Sequence, residues 1–475
     1  MMMRLHTKSL IVALVVVMPL FFWLVGATAL EPIELLGKNI FFDEISIPGN
    51  KQACASCHEP AKGWILPNST INSSTVVAPG AKPQALGNLK PPSNAYASFS
   101  PPFRPFPNPF IAPWEGGNFW DGRAEGCGAT SGPCPQGNGA VSETITLSDL
   151  PVAKQVAYKQ YLGPTADQAL NPFPNDVELD IREQNVCQRV KTAKYKNLYD
   201  QAFGEAIDCS PNPKDNPAYR TSFKRLAVAL AAWQMSEDVV SFSSTRDKAL
   251  LNDDNGTFPL RGFTSQENFG HDLFYGRNDS GLNGGPGNPP AKQAFCSLCH
   301  NGVPQGDAPD LTGESLHQLY TDFRYHHIGV PFNREIPGVN KEEKTGLRAH
   351  VTNVAPGQFK TPTLRNVAKG LSPDFKKAYT HNGWFKSLES LVHFYNTRDK
   401  LEKCEKLGIT HAAEKEALQN NCWPAPEFFG PVGGIIGDLG LSHAIGPDAV
   451  PNSEEAALVA YLKTLIDDHT PDVPE

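Results

Sequence analysis

After residue 30 the sequence holds a single methionine, Met235, and between His58 and His271 it holds no histidine. These two scarcities leave the first half of the chain few side chains able to ligate a soft or borderline metal. Beyond residue 30 no apolar run is long enough to span a bilayer, and alternating apolar and polar stretches are few. That excludes a multi-span membrane protein and a large half-buried sheet. A basic excess is also missing: 42 Lys and Arg against 50 Asp and Glu give a formal charge of −8, and no nucleic-acid partner is expected.

Proline and glycine are plentiful, with 42 and 40 residues clustered at 79–117, 130–139 and 281–290, which predicts a loop-rich chain with helices between the loops. Helical periodicity falls at Ile33–Phe42, Phe223–Val239, Gln266–Tyr275, Ser387–Tyr395 and Glu454–Ile466. The fold class expected is mainly α, and 475 residues suffice for more than one core. Residues 1–29 carry Arg4 and Lys8, an apolar run from Leu10 to Gly26, and Ala27-Thr28-Ala29, which predicts an export signal. The run is long for a signal, so an uncleaved membrane anchor is the alternative.

All ten cysteines lie in the exported part. Four belong to two Cys-x-x-Cys-His motifs, in KQACASCH at 51–58 and KQAFCSLCH at 292–300. The other six, in an oxidising compartment, suggest three disulfides; of the 15 possible pairings the simplest is local, Cys127 with Cys134, Cys187 with Cys209, and Cys404 with Cys422, and free thiols are the alternative. The two motifs are each preceded by the same pattern, Glu34-Leu-Leu-Gly37-x-x-Ile-Phe-Phe and Glu267-x-x-Gly270-x-x-Leu-Phe-Tyr, so the repeat is a whole unit. Two thiols at this spacing add to the two vinyl groups of one haem, and the adjacent imidazole becomes the proximal iron ligand. A zinc site would need further ligands nearby, and a redox dithiol would need a βαβ context.

The expectation is therefore two covalently bound haems c, on Cys54, Cys57 and His58 and on Cys296, Cys299 and His300. Each would lie in a cytochrome c-like domain, at 30–255 and 256–475, with the boundary in the polar stretch Leu251–Thr257. The opposite face of each iron decides between electron carriage and catalysis, because an open position admits a small ligand. Met235 sits on an apolar helical face and reads as core, so the first haem is expected to have an open distal side.

Several further motifs are distinctive. They are Leu-Gly-Lys-x-Ile-Phe-Phe-Asp at 36–43, Phe-Trp-Asp-Gly-Arg at 119–123, Gln168-Ala-x-x-Pro172 with Val-Glu-Leu at 177–179, Phe-Lys-Thr-Pro-Thr-Leu-Arg-Asn-Val at 359–367, and His381-Asn-Gly. With these residues the chain resembles the bacterial di-haem cytochrome c peroxidases and, within that superfamily, the MauG branch. The resemblance implies a periplasmic oxidoreductase that reduces hydrogen peroxide at the first haem, with electrons passing through the second. Trp120 is similar to the family tryptophan between the haems. Glu178 is similar to the distal carboxylate, with Gln168 and Pro172 lining its pocket. Such a carboxylate can take a proton from one peroxide oxygen and deliver it to the departing one, and an amide can stabilise the charge that builds there.

Two departures point to the MauG branch. The loop after the first motif lacks the histidine that closes the resting peroxidases, and the position fourteen residues past His381 is Tyr395, where the peroxidases have methionine. A phenolate ligand favours higher oxidation states of iron. His393, His381 and a plain packing role for Tyr395 are the alternatives. The tryptophan that MauG carries before its second motif is replaced here by Ala294 and Phe295, so the methylamine pathway is not implied. The family's interdomain calcium is retained as an option, although Lys90 stands near its expected asparagine. A donor cytochrome or other redox protein is the implied partner, and a homodimer is compatible with the resemblance. The rival functions are a conventional detoxifying cytochrome c peroxidase and a non-enzymatic di-haem electron carrier.

Overall fold

A computed structural model describes residues 29–474 except 83, 108–111, 130–133, 137–143, 284–291, 309, 339–344 and 431–434. The expected export signal lies outside the described residues. Among those described, no helix is long and apolar enough to cross a membrane.

The repeated pattern becomes a repeated helix crossing. The helix Pro32–Phe42 starts with proline in its first turn, where a missing N–H costs no hydrogen bond, and the Glu31 N–H donates to Glu34 Oε2 at 2.8 Å. It buries Ile33, Leu36, Gly37, Ile40 and Phe41, one face of a 3.6-residue period, against the helix Ala218–Met235. At the crossing, a Cβ on Gly37 would lie 1.9 Å from the Ala229 carbonyl oxygen, so only glycine allows the approach. The helix Ser265–Tyr275, capped by Thr264 and Glu267, crosses Glu454–Lys463 in the same manner. There a Cβ on Gly270 would lie 2.0 Å from the Ala457 carbonyl oxygen.

Each crossing sits in its own hydrophobic core. One gathers Leu36, Ile40, Phe41, Phe173, Leu226 and Trp233, and the other Leu273, Phe274, Phe385, Leu388, Trp423 and Tyr461. Between the two cores lies a buried polar network: Arg365 donates to both Asp247 oxygens at 2.7 and 3.0 Å, and Tyr96 Oη and Asn366 Nδ2 each donate to Asp467 Oδ2 at 2.8 Å. A buried guanidinium is held this way because pairing and hydrogen bonds offset its desolvation.

Among the described residues the strands form two short antiparallel pairs, Arg104–Pro105 with Trp114–Glu115 and Tyr325–His326 with Phe359–Lys360, and the remaining β pairing is isolated bridges. The chain is mainly helical and loop-rich, as its periodicity predicts. The three expected disulfides are present, with Cα separations of 5.1 Å for Cys127–Cys134, 5.7 Å for Cys187–Cys209 and 5.1 Å for Cys404–Cys422. The longest helix differs from its predicted span, starting at Ala218, directly after Pro217, and ending at Met235, where Ser236 turns to extended backbone. Met235, expected in the core, is half-buried at that end and lines neither of the cavities described next.

Candidate haem centres

Both attachment motifs fold into one 3-10 turn, Cys54–Ser56 and Cys296–Leu298. The His58 N–H then donates to the Cys54 carbonyl at 3.0 Å, and the His300 N–H to the Cys296 carbonyl at 2.9 Å. This turn brings the two thiols and the imidazole of each motif to one wall of a cavity. The first cavity, of 330 Å³, is lined by Cys54, Cys57 and His58, and the second, of 540 Å³, by Cys296, Cys299 and His300.

The donor chemistry of both walls fits a haem. His58 Nδ1 faces the Trp64 carbonyl at 3.3 Å and His300 Nδ1 faces the Tyr320 carbonyl at 2.8 Å, an arrangement that leaves Nε2 as the basic nitrogen. Burial pushes the His58 imidazole down to about 4 and lowers that of His300, so burial favours the neutral imidazole in each. Burial, with the Cys57 charge next, pushes the Cys54 thiol up to about 12, and burial pushes Cys57 to about 11. None of the four motif cysteines is in a disulfide.

The structure gathers the remaining predicted residues of the first site around that cavity. Gln168 sits in the short helix Pro164–Ala169, and the loop beyond it folds back on itself. The Leu179 N–H donates to the Pro172 carbonyl at 3.1 Å, and the Ile181 N–H to the Phe173 carbonyl at 2.7 Å. This closure carries Gln168, Pro172 and Glu178 to the lining of the His58 cavity. Burial raises the Glu178 carboxyl above its ordinary range, opposed by the nearby Arg123 charge and a hydrogen bond from Asn175. Its Oε2 is buried without a partner. Among the described residues no second histidine and no methionine lines this cavity.

Trp120 lines both cavities. Its indole N–H donates to the Lys90 carbonyl at 2.8 Å, and its own carbonyl accepts from the Lys360 N–H at 3.0 Å. Phe119, before it, has φ +65°, a left-handed conformation costly for a bulky residue and secured here by the Arg123 guanidinium 3.7 Å over its ring.

Tyr395, on the helix Leu388–Thr397, lines the His300 cavity. Burial, and then the neighbouring Cys299 and Cys296 sulfurs, hold its phenol well above the ordinary tyrosine range. The alternatives stand differently. His393 lines neither cavity and pairs through Nδ1 with Glu455 at 2.9 Å. His381 lines the second cavity, but its Nε2 is held by Glu427 at 2.9 Å and its ring is stacked on Phe359, with centroids 3.4 Å apart. His271, the first histidine after His58, is buried with Nε2 against the Thr312 carbonyl at 2.8 Å, and it lines neither cavity.

Three residues without an assigned role in the sequence reading also belong here. Arg123 closes the Phe-Trp-Asp-Gly-Arg motif and reaches the Glu178 cavity, so its signal was present in the motif itself. Lys90 and Lys377 are buried near the junction of the two cavities. Burial lowers Lys90 to about 8; burial, and then Lys90 with Lys369 and Lys62, lowers Lys377 well below the usual lysine range. Two buried lysine amines offer nitrogen and no oxygen ligand, and do not fit the calcium that the resemblance leaves open, since calcium takes oxygen ligands, mostly anionic. No step below is routed through calcium.

Residues 31–255 match the sequence model of the di-haem cytochrome c peroxidases. Those residues belong to the di-haem cytochrome c peroxidase family. The methylamine utilization protein MauG of Paracoccus denitrificans (strain Pd 1222) is 27% identical over 446 residues, which cover 92% of this chain and 89% of that protein. Among solved structures, the diheme peroxidase BthA from Burkholderia thailandensis E264 aligns over 93% of this chain and 90% of its own, with a TM-score of 0.60 at 22% identity. A MauG-like protein associated with microbial copper homeostasis aligns over 92% and 90%, with a TM-score of 0.54 at 19% identity. The last two likenesses are of fold. The chain is thus similar over most of its length to an enzyme of the di-haem oxidoreductases, a family whose membership implies two haem cofactors.

Proposed function

We propose that this chain is an exported, periplasmic di-haem c-type peroxidase of the MauG-like kind, with haems covalently attached at Cys54 and Cys57 and at Cys296 and Cys299. Domains at 30–255 and 256–475 each carry one haem, with His58 and His300 as proximal ligands. The haems supply iron that accepts peroxide and holds oxidising equivalents. What the chain adds is proton handling, ligand choice and a route between the sites.

Glu178 is the acid and base of the first site. Its buried, unpartnered Oε2 is free to accept the proton of an incoming peroxide and return it to the leaving oxygen. The Gln168 amide donates toward the charge that develops on that oxygen, and Pro172 helps to exclude water. The Arg123 charge favours the ionised form of Glu178 and opposes the effect of burial. Trp120 relays electrons or holes between the cavities, and Tyr395 closes the second site, which is therefore a reservoir. Electrons come from a donor cytochrome or a partner protein.

The observation that carries this reading is the unequal lining of the cavities: among the described residues the first is lined by no His besides His58 and by no Met, whereas the second is lined by Tyr395 and by further histidines, among them His381. Electron paramagnetic resonance of the ferric holoprotein tests it. One high-spin and one low-spin haem are expected. Two low-spin haems would identify an electron carrier instead.

A further inference from the structure

A pair of histidines lies outside both cavities, His393 on the helix Leu388–Thr397 and His443 on the surface loop that follows Leu441. Their rings are nearly perpendicular, with centroids 4.9 Å apart. His393 is buried, and its Nδ1 meets Glu455 Oε1 at 2.9 Å. Glu455, itself fully buried, also accepts from Asn396 Nδ2 at 2.7 Å and from the Ala444 N–H at 2.7 Å. A carboxylate can only accept here, so His393 donates from Nδ1 and keeps its basic lone pair on Nε2. That Nε2 is buried and has no partner.

Its surroundings say what it faces. A Cβ built on Gly446 would lie 3.8 Å from His393 Nε2, 3.8 Å from Asp448 Oδ1 and 3.7 Å from Asn421 Oδ1, so these atoms converge on the space above that glycine. His443 Nδ1 reaches Asp448 Oδ1 at 2.8 Å. One ligand atom each from His393, His443 and Glu455 lies within 4.8 Å of the others.

We propose that His393, through Nε2, together with His443 and Asp448, binds a divalent transition-metal ion of the zinc class, with Glu455 orienting His393 from behind. Two imidazoles and a carboxylate form the nitrogen and oxygen set that zinc takes and calcium does not. A carboxylate behind a ligating imidazole fixes its tautomer and raises its basicity. Tetrahedral ligand atoms stand roughly 3.3 Å apart at zinc distances, so His443 Nδ1 and Asp448 Oδ1, 2.8 Å apart without the ion, would part slightly to admit it. That movement falls on the loop at 443–448, where the Asp448 side chain is 67% exposed and gives the ion an entrance. A bound ion would pin this loop to the helix that carries Tyr395.

The test titrates Zn2+ alone into the full-length holoprotein by calorimetry, with metal analysis after dialysis and a thermal melt with and without zinc. One tightly held zinc per chain is expected, together with a melting temperature raised by zinc. His443→Ala and Asp448→Asn change groups at the surface end of the site and are expected to weaken binding tenfold or more and to abolish the thermal shift. If His443→Ala misfolds, Asp448→Asn carries the test by itself. Unchanged affinity in the variants, or no zinc retained by the parent chain, overturns the proposal.

Discussion

The indole N–H of Trp120 donates to the backbone carbonyl of Lys90 at 2.8 Å, so a ring that lines both haem cavities is fixed by a residue lining both as well. Trp120→Phe keeps most of the packing and removes the donor and the indole. The expected outcome is a first site that still consumes its first equivalent of peroxide at a near-native rate. Oxidation or reduction through the second haem should slow by about tenfold or more, read by stopped-flow absorbance at both haems. Equal rates in the two proteins would place the route elsewhere.

The pH dependence of peroxide reactivity follows from Glu178. The protonated acid cannot accept the peroxide proton, so the rate falls as pH drops through the Glu178 value. Burial raises that value above the ordinary carboxylate range, so the acid limb should lie above about 4.5. In Glu178→Gln this limb should vanish and the rate should drop by roughly 10²–10⁴. A pH profile of the second-order rate constant for both proteins checks the assignment.

Tyr395→Met exchanges a phenol oxygen for a thioether in the second cavity. Thioether ligation favours Fe(II), so the midpoint potential of that haem should rise by roughly 0.1 V or more while the first haem keeps its spectrum. Spectroelectrochemistry separates the two haems. A potential that stays in place would return Tyr395 to a packing role.

Gly37→Ala and Gly270→Ala each set a methyl against a backbone carbonyl at a helix crossing, which cannot yield as a side chain would. Destabilisation of about 1–3 kcal/mol or more is expected for each. Calorimetric melting of the two variants beside the parent chain provides the measurement, and exposed Gly204→Ala, with open space around it, serves as a comparison for the loss of a left-handed glycine alone.

The features readable from sequence are those written in contiguous residues. The attachment turns and the amphipathic helices beginning near Ile33 and Gln266 depend on neighbours a few positions apart, and the three disulfides join cysteines 7, 22 and 18 residues apart. The start of the long helix was misplaced because Ala218–Ser222 carry little apolar periodicity and Pro217 sets the boundary instead. Glu178 is legible through a motif, but its charge interaction with Arg123 joins segments more than fifty residues apart. The approach of Lys377 to Lys90 joins the two halves of the chain, and it leaves no pattern in either segment. Nor does any periodicity mark the unpaired Nε2 of His393, since a histidine on a buried helical face reads as ordinary core.

The Lys90 ammonium stands 5.9 Å from the centre of the Trp120 ring, and both are buried. While the lysine is charged, removing an electron from that ring places two positive charges side by side, at a cost of roughly 3 kcal/mol for an effective dielectric near 20. A tryptophan so placed is a poor resting place for a hole. It would serve better as a bridge crossed quickly, leaving the oxidising equivalents on the two metals and sparing the ring from damage between turnovers.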